Sequence, residues 1–391
     1  MSMWEGAPRE KKRWVCPTNA LHHATQHTAP RGCSTTSTAL WYVSSTSLVR
    51  TWAMGWFSGL AWCSAGVGAL GVSFGVLLFV FQDKLLYIPS MPIRDPDDNP
   101  NGYRNPLEQG ISYEDMYMPT LDGITIHGWL LKSPNAAKVP TLVYLHGNAG
   151  NIGFRLVNAR QIQLAVGCNV LMVDYRGYGK SEGKPTEEGL VLDVEASLRA
   201  LRESPKSGVD PNKVILFGRS LGGAVALAGA DRYPDLVRAV IVENTFLSVS
   251  HMVDKLLPML TSIKWLVLRL KWDNDQMARR LTKPVLYVSG LADELIPPWH
   301  MRALYNATPE RSGGGKRLVT VADGTHNDTW EKGGSAYLKA LDVFIDEVMS
   351  GGVVEMTAVS GARSGAEKGG AAGSCEASPT GGVVQEAEAA E

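Results

Sequence analysis

Four short segments of this chain carry side chains suited to acyl chemistry. Gly218-Arg219-Ser220-Leu221-Gly222 sets a serine between two glycines. In a G-x-S-x-G turn joining a strand to a helix, the hydroxyl stands at the helix N-terminus. Backbone N–H groups there favour developing negative charge. Ser220 is therefore the candidate nucleophile. A serine hydroxyl needs a base to accept its proton and an acid to orient that base. Gly324-Thr325-His326-Asn327-Asp328 offers His326 as the base. Gly290-Leu291-Ala292-Asp293-Glu294-Leu295-Ile296-Pro297 offers Asp293 as the acid, with Glu294 and Glu243 as competing carboxylates. His146-Gly147-Asn148-Ala149-Gly150 is a turn whose backbone can approach a substrate closely. The N–H groups of Asn148 and Leu221 are the candidate oxyanion donors. His146 reads as a structural histidine packed beneath that turn. The bland readings are a glycine-rich turn around an ordinary Ser220, a cap at Asp293 and a surface His326. Four such segments in one chain favour catalysis.

Each segment needs an element to position it, and the pattern supplies one. Val139–Leu145, Asn169–Asp174, Lys213–Phe217, Ala239–Glu243, Pro284–Val288 and Lys316–Val321 read as short strands. Helical patterns cover Phe154–Ala165, Thr186–Arg202 and Leu221–Arg232. This rhythm implies a mostly parallel central sheet with helices on both faces. Ligands bind such sheets at the carboxyl ends of strands, which is where all four segments lie. The order Ser220, Asp293, His326 is that of the α/β-hydrolase fold, which is the predicted architecture, with a short cap insertion between Phe246 and Leu281. In the cap, Trp265, Leu266, Leu268, Leu270 and Trp272 alternate with Lys264, Arg269 and Lys271. The favoured reading is a lid that packs its apolar side on the core. A face at a bilayer surface is the alternative. Asp174-Tyr175-Arg176-Gly177-Tyr178-Gly179-Lys180-Ser181 reads as a turn held by glycines and an internal Asp–Arg hydrogen bond.

A composition of 45% hydrophobic and 20% charged residues suits a globular protein with a full core. A net charge of -1 provides no electrostatic basis for nucleic acid as a partner. The five cysteines show no CxxC spacing, so neither a metal site nor a redox site is expected. The candidate machinery requires no cofactor.

Residues 1–53 are basic, Ser- and Thr-rich and without apolar period, and are expected to be disordered. Such a composition also resembles a transit peptide. Met54 to Phe81 contains no charged residue. At ~1.5 Å per residue that stretch extends about 42 Å as a helix, against ~30 Å of hydrocarbon core. A transmembrane helix over 54–82 is the expectation, followed by a catalytic domain over 83–350 and a disordered tail over 351–391. Arg50 and the basic cluster before it favour a cytosolic N-terminus. The expected topology is single-pass, type II, with the catalytic domain outside the cytosol.

Taken together, His146–Gly153, Asp174–Ser181, Gly218–Gly223, Glu243–Phe246 and Gly324–Thr329 resemble the branch of hydrolases named after alpha/beta hydrolase domain-containing protein thirteen. The resemblance covers Leu85 to Met349, and Lys84–Pro89 resembles the juxtamembrane stretch of that branch. It implies a membrane-anchored serine hydrolase whose triad is Ser220, Asp293 and His326. The long N-terminal segment and the acidic tail have no counterpart there. The expected reaction is hydrolysis of an ester or thioester on an acylated small molecule, lipid or protein. Peptidase and acyltransferase activities would use the same groups, and a non-catalytic membrane scaffold is the opposing class. Epoxide hydrolysis and dehalogenation are disfavoured, because they use a carboxylate where Ser220 stands.

Overall fold

The computed structural model describes residues 42–203, 208–310, 315–351 and 359–360. Most of the expected disordered ends, residues 1–41 and 361–391, lie outside the described residues. The first element is a long helix, α1 (Tyr42–Leu86). It begins at Tyr42, so residues 42–53 are helical where the composition suggested disorder. Once a helix is nucleated, adding residues costs little, and poor helix formers are carried along. Within α1, Ser64–Leu86 is long and apolar enough to cross a membrane, with a mean hydropathy of 2.1.

The chain then forms β1 (Tyr113–Pro119), β2 (Thr125–Leu131), β3 (Thr141–Leu145), α2 (Leu156–Val166), β4 (Asn169–Asp174), α3 (Glu187–Glu203), β5 (Val214–Arg219), α4 (Leu221–Arg232) and β6 (Ala239–Glu243). The cap contributes α5 (Val249–Leu256), α6 (Lys264–Val267) and α7 (Asn274–Arg280). The last part holds β7 (Val285–Gly290), α8 (Trp299–Ala307), β8 (Lys316–Val321) and α9 (Thr329–Ser350), which is broken at Gly334. A two-residue strand, β9 (Val359–Ser360), pairs with β8. It interrupts the stretch after Gly351 that was expected to lack regular structure.

The strand order is β1-β2-β4-β3-β5-β6-β7-β8-β9. All pairs from β4 onward in that order are parallel; β1–β2 and β2–β4 are antiparallel. This is the α/β-hydrolase fold expected from the sequence, with the antiparallel hairpin β1–β2 added. Side chains alternate between two apolar layers, as the period of two requires. Val143, Leu145, Leu216, Val240 and Val242 face the layer of α3 and α4. Leu142, Tyr144, Ile215, Phe217 and Ile241 face the layer of α2 and α9. Both layers are buried, which is why the central strands read as unbroken apolar runs.

The cap does not wholly follow the favoured reading. Leu260, Leu270 and Trp272 are buried, whereas Trp265 and Leu266 are exposed. Trp272 is enclosed in the core, and its Nε1–H donates to Tyr87 Oη at 3.0 Å. Replacing Trp272 with Ala is expected to cost about 3–5 kcal/mol by leaving a cavity. Tyr87→Phe should cost only about 1 kcal/mol through the lost hydrogen bond. Thermal unfolding of the two purified variants in detergent checks both the order and the gap.

Candidate active site

The turn after β5 is shaped by two positions that have no room for a side chain. A Cβ on Gly218 would lie 1.9 Å from Gly222 O, and one on Gly222 would lie 1.9 Å from Leu145 O. The chain therefore doubles back from β5 into α4 hard against the end of β3. Ser220, at the apex, is forced to φ 54, ψ -121. Such a backbone costs on the order of 1–3 kcal/mol and needs external support. The next strand provides it. Ser220 N–H donates to Glu243 O at 2.9 Å, and Thr245 Oγ1–H donates to Ser220 O at 2.8 Å.

His326 enters from the loop after β8, and its Nε2 lies 3.0 Å from Ser220 Oγ. Its Nδ1 lies 2.8 Å from Asp293 Oδ2, on the loop after β7. This geometry suits the tautomer in which Nδ1–H donates to Asp293 and Nε2 faces the hydroxyl as an acceptor. The other Asp293 oxygen accepts the Ile296 N–H at 2.8 Å, which fixes the carboxylate plane. All three side chains belong to buried residues. The competing carboxylates are elsewhere. Glu294 is exposed. Glu243 is buried against Tyr337, whose Oη–H donates to it at 2.7 Å. Burial raises its pKa, against the opposing pull of Arg219.

The His146–Gly150 turn runs beside the serine: a Cβ on Gly147 would stand 3.8 Å from Ser220 Cβ. The carbonyl of Asn148 accepts from Ile88 N–H at 2.9 Å and from Tyr178 Oη–H at 2.7 Å. Both bonds hold that carbonyl on the side facing Ile88 and Tyr178. His146 is fully buried, and its Nδ1 lies 2.7 Å from Gly147 O. Burial and the charge of Arg155 push its pKa down to about 3, so it stays neutral. Asp174 accepts the Ile152 N–H at 2.9 Å and pins the residues that follow this turn. The expected internal Asp174–Arg176 bond does not form. Arg176 instead pairs with Asp193 at 2.8 Å and with Asp122 at 2.6 Å, both distant in sequence.

One residue with a large part in this arrangement entered the sequence reading only within the Glu243–Phe246 segment, with no role assigned to it. Asn244, directly after β6, has φ 45, a region that asparagine tolerates better than most residues. Its Oδ1 accepts the Gly290 N–H at 2.8 Å. Its Nδ2 donates to Thr329 Oγ1 at 2.8 Å, Thr325 O at 3.1 Å and His326 O at 3.3 Å. One amide thus joins the ends of β6 and β7 to the histidine loop. Arg219 reaches the same loop through Asn327 Oδ1.

A mostly parallel sheet with a strand–serine–helix turn and a facing histidine and carboxylate defines the class of α/β-hydrolase-fold proteins. Comparisons with known proteins agree. Residues 140–270 match the alpha/beta hydrolase fold family. Alpha/beta hydrolase domain-containing protein WAV2 of Arabidopsis thaliana is 37% identical over 294 residues, covering 72% of this chain and 93% of that one. Protein bem46 of Schizosaccharomyces pombe is 34% identical over 293 residues, 74% of this chain and 93% of that one. A Saccharomyces cerevisiae relative, called an uncharacterized membrane protein, is 36% identical over 270 residues, 68% of this chain and 89% of that one. An esterase of Pyrococcus furiosus shares the fold at TM-score 0.52 and 20% identity, over 62% of this chain and 95% of that one. The chain belongs to the alpha/beta hydrolase family.

Two outcomes follow from the site. Asn244→Ala should lower kcat by about 10²-fold by letting the imidazole drift from the hydroxyl. KM should change little, and steady-state kinetics on a chromogenic ester separate the two. His300 is buried beside the site, and burial together with His251 pushes its pKa from 6.5 to about 4. Between those values the unfolded chain binds a proton there that the folded chain refuses, so stability falls as pH drops below 6.5. His300→Gln should therefore lose less melting temperature than the wild type between pH 7.5 and pH 5.

Proposed function

We propose that this protein is a membrane-anchored serine hydrolase that cleaves an ester or thioester of an acylated substrate. The observation that carries this reading is the chain of hydrogen bonds Ser220–His326–Asp293, with 3.0 and 2.8 Å separations. Ser220 Oγ attacks the acyl carbonyl while His326 Nε2 takes its proton. The Asn148 and Leu221 N–H groups receive the oxyanion. The alcohol or thiol leaves with the proton returned by His326, and the acyl group remains on Ser220. His326 then removes a proton from water, which attacks the acyl-enzyme and releases the acid.

The anchor in this reading is the Ser64–Leu86 stretch, as its length and apolarity suggest. At ~1.5 Å per residue it extends about 35 Å, enough for the ~30 Å hydrocarbon core. The basic residues preceding it favour a cytosolic N-terminus, with the catalytic domain on the far side. Within the family, the motifs favour the branch of alpha/beta hydrolase domain-containing protein thirteen.

A fluorophosphonate probe should label the wild-type protein and leave Ser220→Ala unlabelled. Turnover of p-nitrophenyl esters should fall about 10⁴-fold or more in Ser220→Ala and in His326→Ala. Labelling that persists in a folded Ser220→Ala variant would remove the nucleophile from this scheme. A parallel series of acyl-thioesters decides which leaving group is preferred.

A further inference from the structure

The cap presents an apolar face that its own domain does not cover. Met259 is 78% exposed, Trp265 76% and Leu266 60%, and Leu256 and Ile263 are exposed beside them. A second observation says what surrounds this face, because the residues that follow it seat the cap on α1. The Gln82 side-chain amide donates to Val267 O at 2.6 Å, and its oxygen accepts Arg269 N–H at 2.7 Å and Leu270 N–H at 2.9 Å. Arg269 pairs with Asp83 at 2.5 Å. Farther up the helix, a methyl on Gly75 would stand 3.5 Å from Val267 Cγ1. Gly75 and Asp83 are eight residues apart, which is ~12 Å along a helix axis. The cap therefore rides along the apolar length of α1 as well as its charged end. Leu70, Val72, Phe74, Val76, Leu77 and Val80 are themselves exposed along that length.

Asp83 and Lys84 are the first charged residues after Arg50. With the Asp83–Arg269 pair at the edge of the hydrocarbon, Val267 lies on its inner side, and Trp265 and Leu266 directly precede Val267. Tryptophan is enriched at membrane–water interfaces. Amphipathic segments bury their apolar face ~5–10 Å deep there. The same frame reaches the catalytic turn. Trp272 of the cap bonds to Tyr87, and the adjacent Ile88 N–H donates to Asn148 O.

We propose that the α5–α6 cap is inserted in the leaflet beside α1, with Leu256, Met259, Ile263, Trp265 and Leu266 among lipid acyl chains. The site takes a long-chain acyl lipid directly from that leaflet. The inference rests on the anchored-hydrolase reading, which supplies both the bilayer around α1 and the acyl substrate.

The full chain, reconstituted in phosphatidylcholine vesicles, tests both parts. A fluorophore is placed at Met259→Cys, at Trp265→Cys and, as a control, at Leu164→Cys on α2, with the other accessible cysteines replaced by serine. Lipids with a nitroxide on the acyl chain should quench positions 259 and 265 at least about twofold more than position 164. Equal quenching at all three sites overturns the insertion. The double variant Met259→Glu, Trp265→Glu should hydrolyse a long-chain ester held in vesicles about tenfold more slowly than wild type. Its labelling by fluorophosphonate in detergent should be retained, which shows an intact site. An unchanged rate on the vesicle-held ester overturns the route from the leaflet. A wild-type protein that fails to label refutes the hydrolase reading, while the quenching still decides the insertion.

Discussion

The absence of space for a Cβ at two glycines governs the rest of the site. Gly218 and Gly222 let β5 and α4 fold back against the end of β3, and nothing larger fits. That crossing fixes where the Ser220 hydroxyl stands and forces its unfavourable backbone. The strain persists because a neighbouring strand over-determines it. Glu243 O and Thr245 Oγ1, both at or just past the end of β6, hold the peptide groups on either side of the serine. The strand that holds Ser220 also leads into Asn244, which holds the His326 loop. One short segment, Glu243–Thr245, thus holds both the Ser220 backbone and the His326 loop.

The groups around Ser220 differ in what holds them. His146 is kept neutral by burial and by Arg155, and serves as filler between Tyr175 and Tyr178. Glu243 is spoken for by Tyr337 and by the nearby guanidinium of Arg219. Asp293 is the carboxylate that meets His326, whose other ring nitrogen faces the Ser220 hydroxyl. Two acidic groups of identical chemistry near one another therefore have different roles, decided by their hydrogen-bond partners.

Much of this was legible from the chain alone, and the reason is local. The strands β4, β6 and β8 and the helix α4 coincide with their expected limits, because apolar runs there are punctuated sharply by glycine and charge. Ser220, Asp293 and His326 each follow such a run, so strand ends and chemistry coincide. The hairpin β1–β2 escaped notice because Tyr113–Met118 mixes acids with large side chains and the pair lies outside the βαβ rhythm. Arg176 was assigned to the nearest acid, Asp174. Its actual partners, Asp193 and Asp122, are brought close only by the finished sheet. Asn244 is the clearest case: its four partners come from residues 290 to 329, and no spacing within Glu243–Phe246 discloses them. The cap was read as a surface turned toward the core, since periodicity reports that a face is apolar but not what it meets.

The junction between α1 and the catalytic domain has no slack. The helix ends at Leu86, and two residues later Ile88 is already bonded to both Asn148 and Gly150. A domain on a flexible tether sweeps a volume set by the tether's length. No such tether separates α1 from the rest of the fold here. The join is also not a place to cut. A fragment starting after Pro89 would lack the Ile88 bridge that braces Asn148, along with the Tyr87 hydroxyl that holds Trp272, so the shortest self-sufficient piece of this protein has to retain the foot of its own helix.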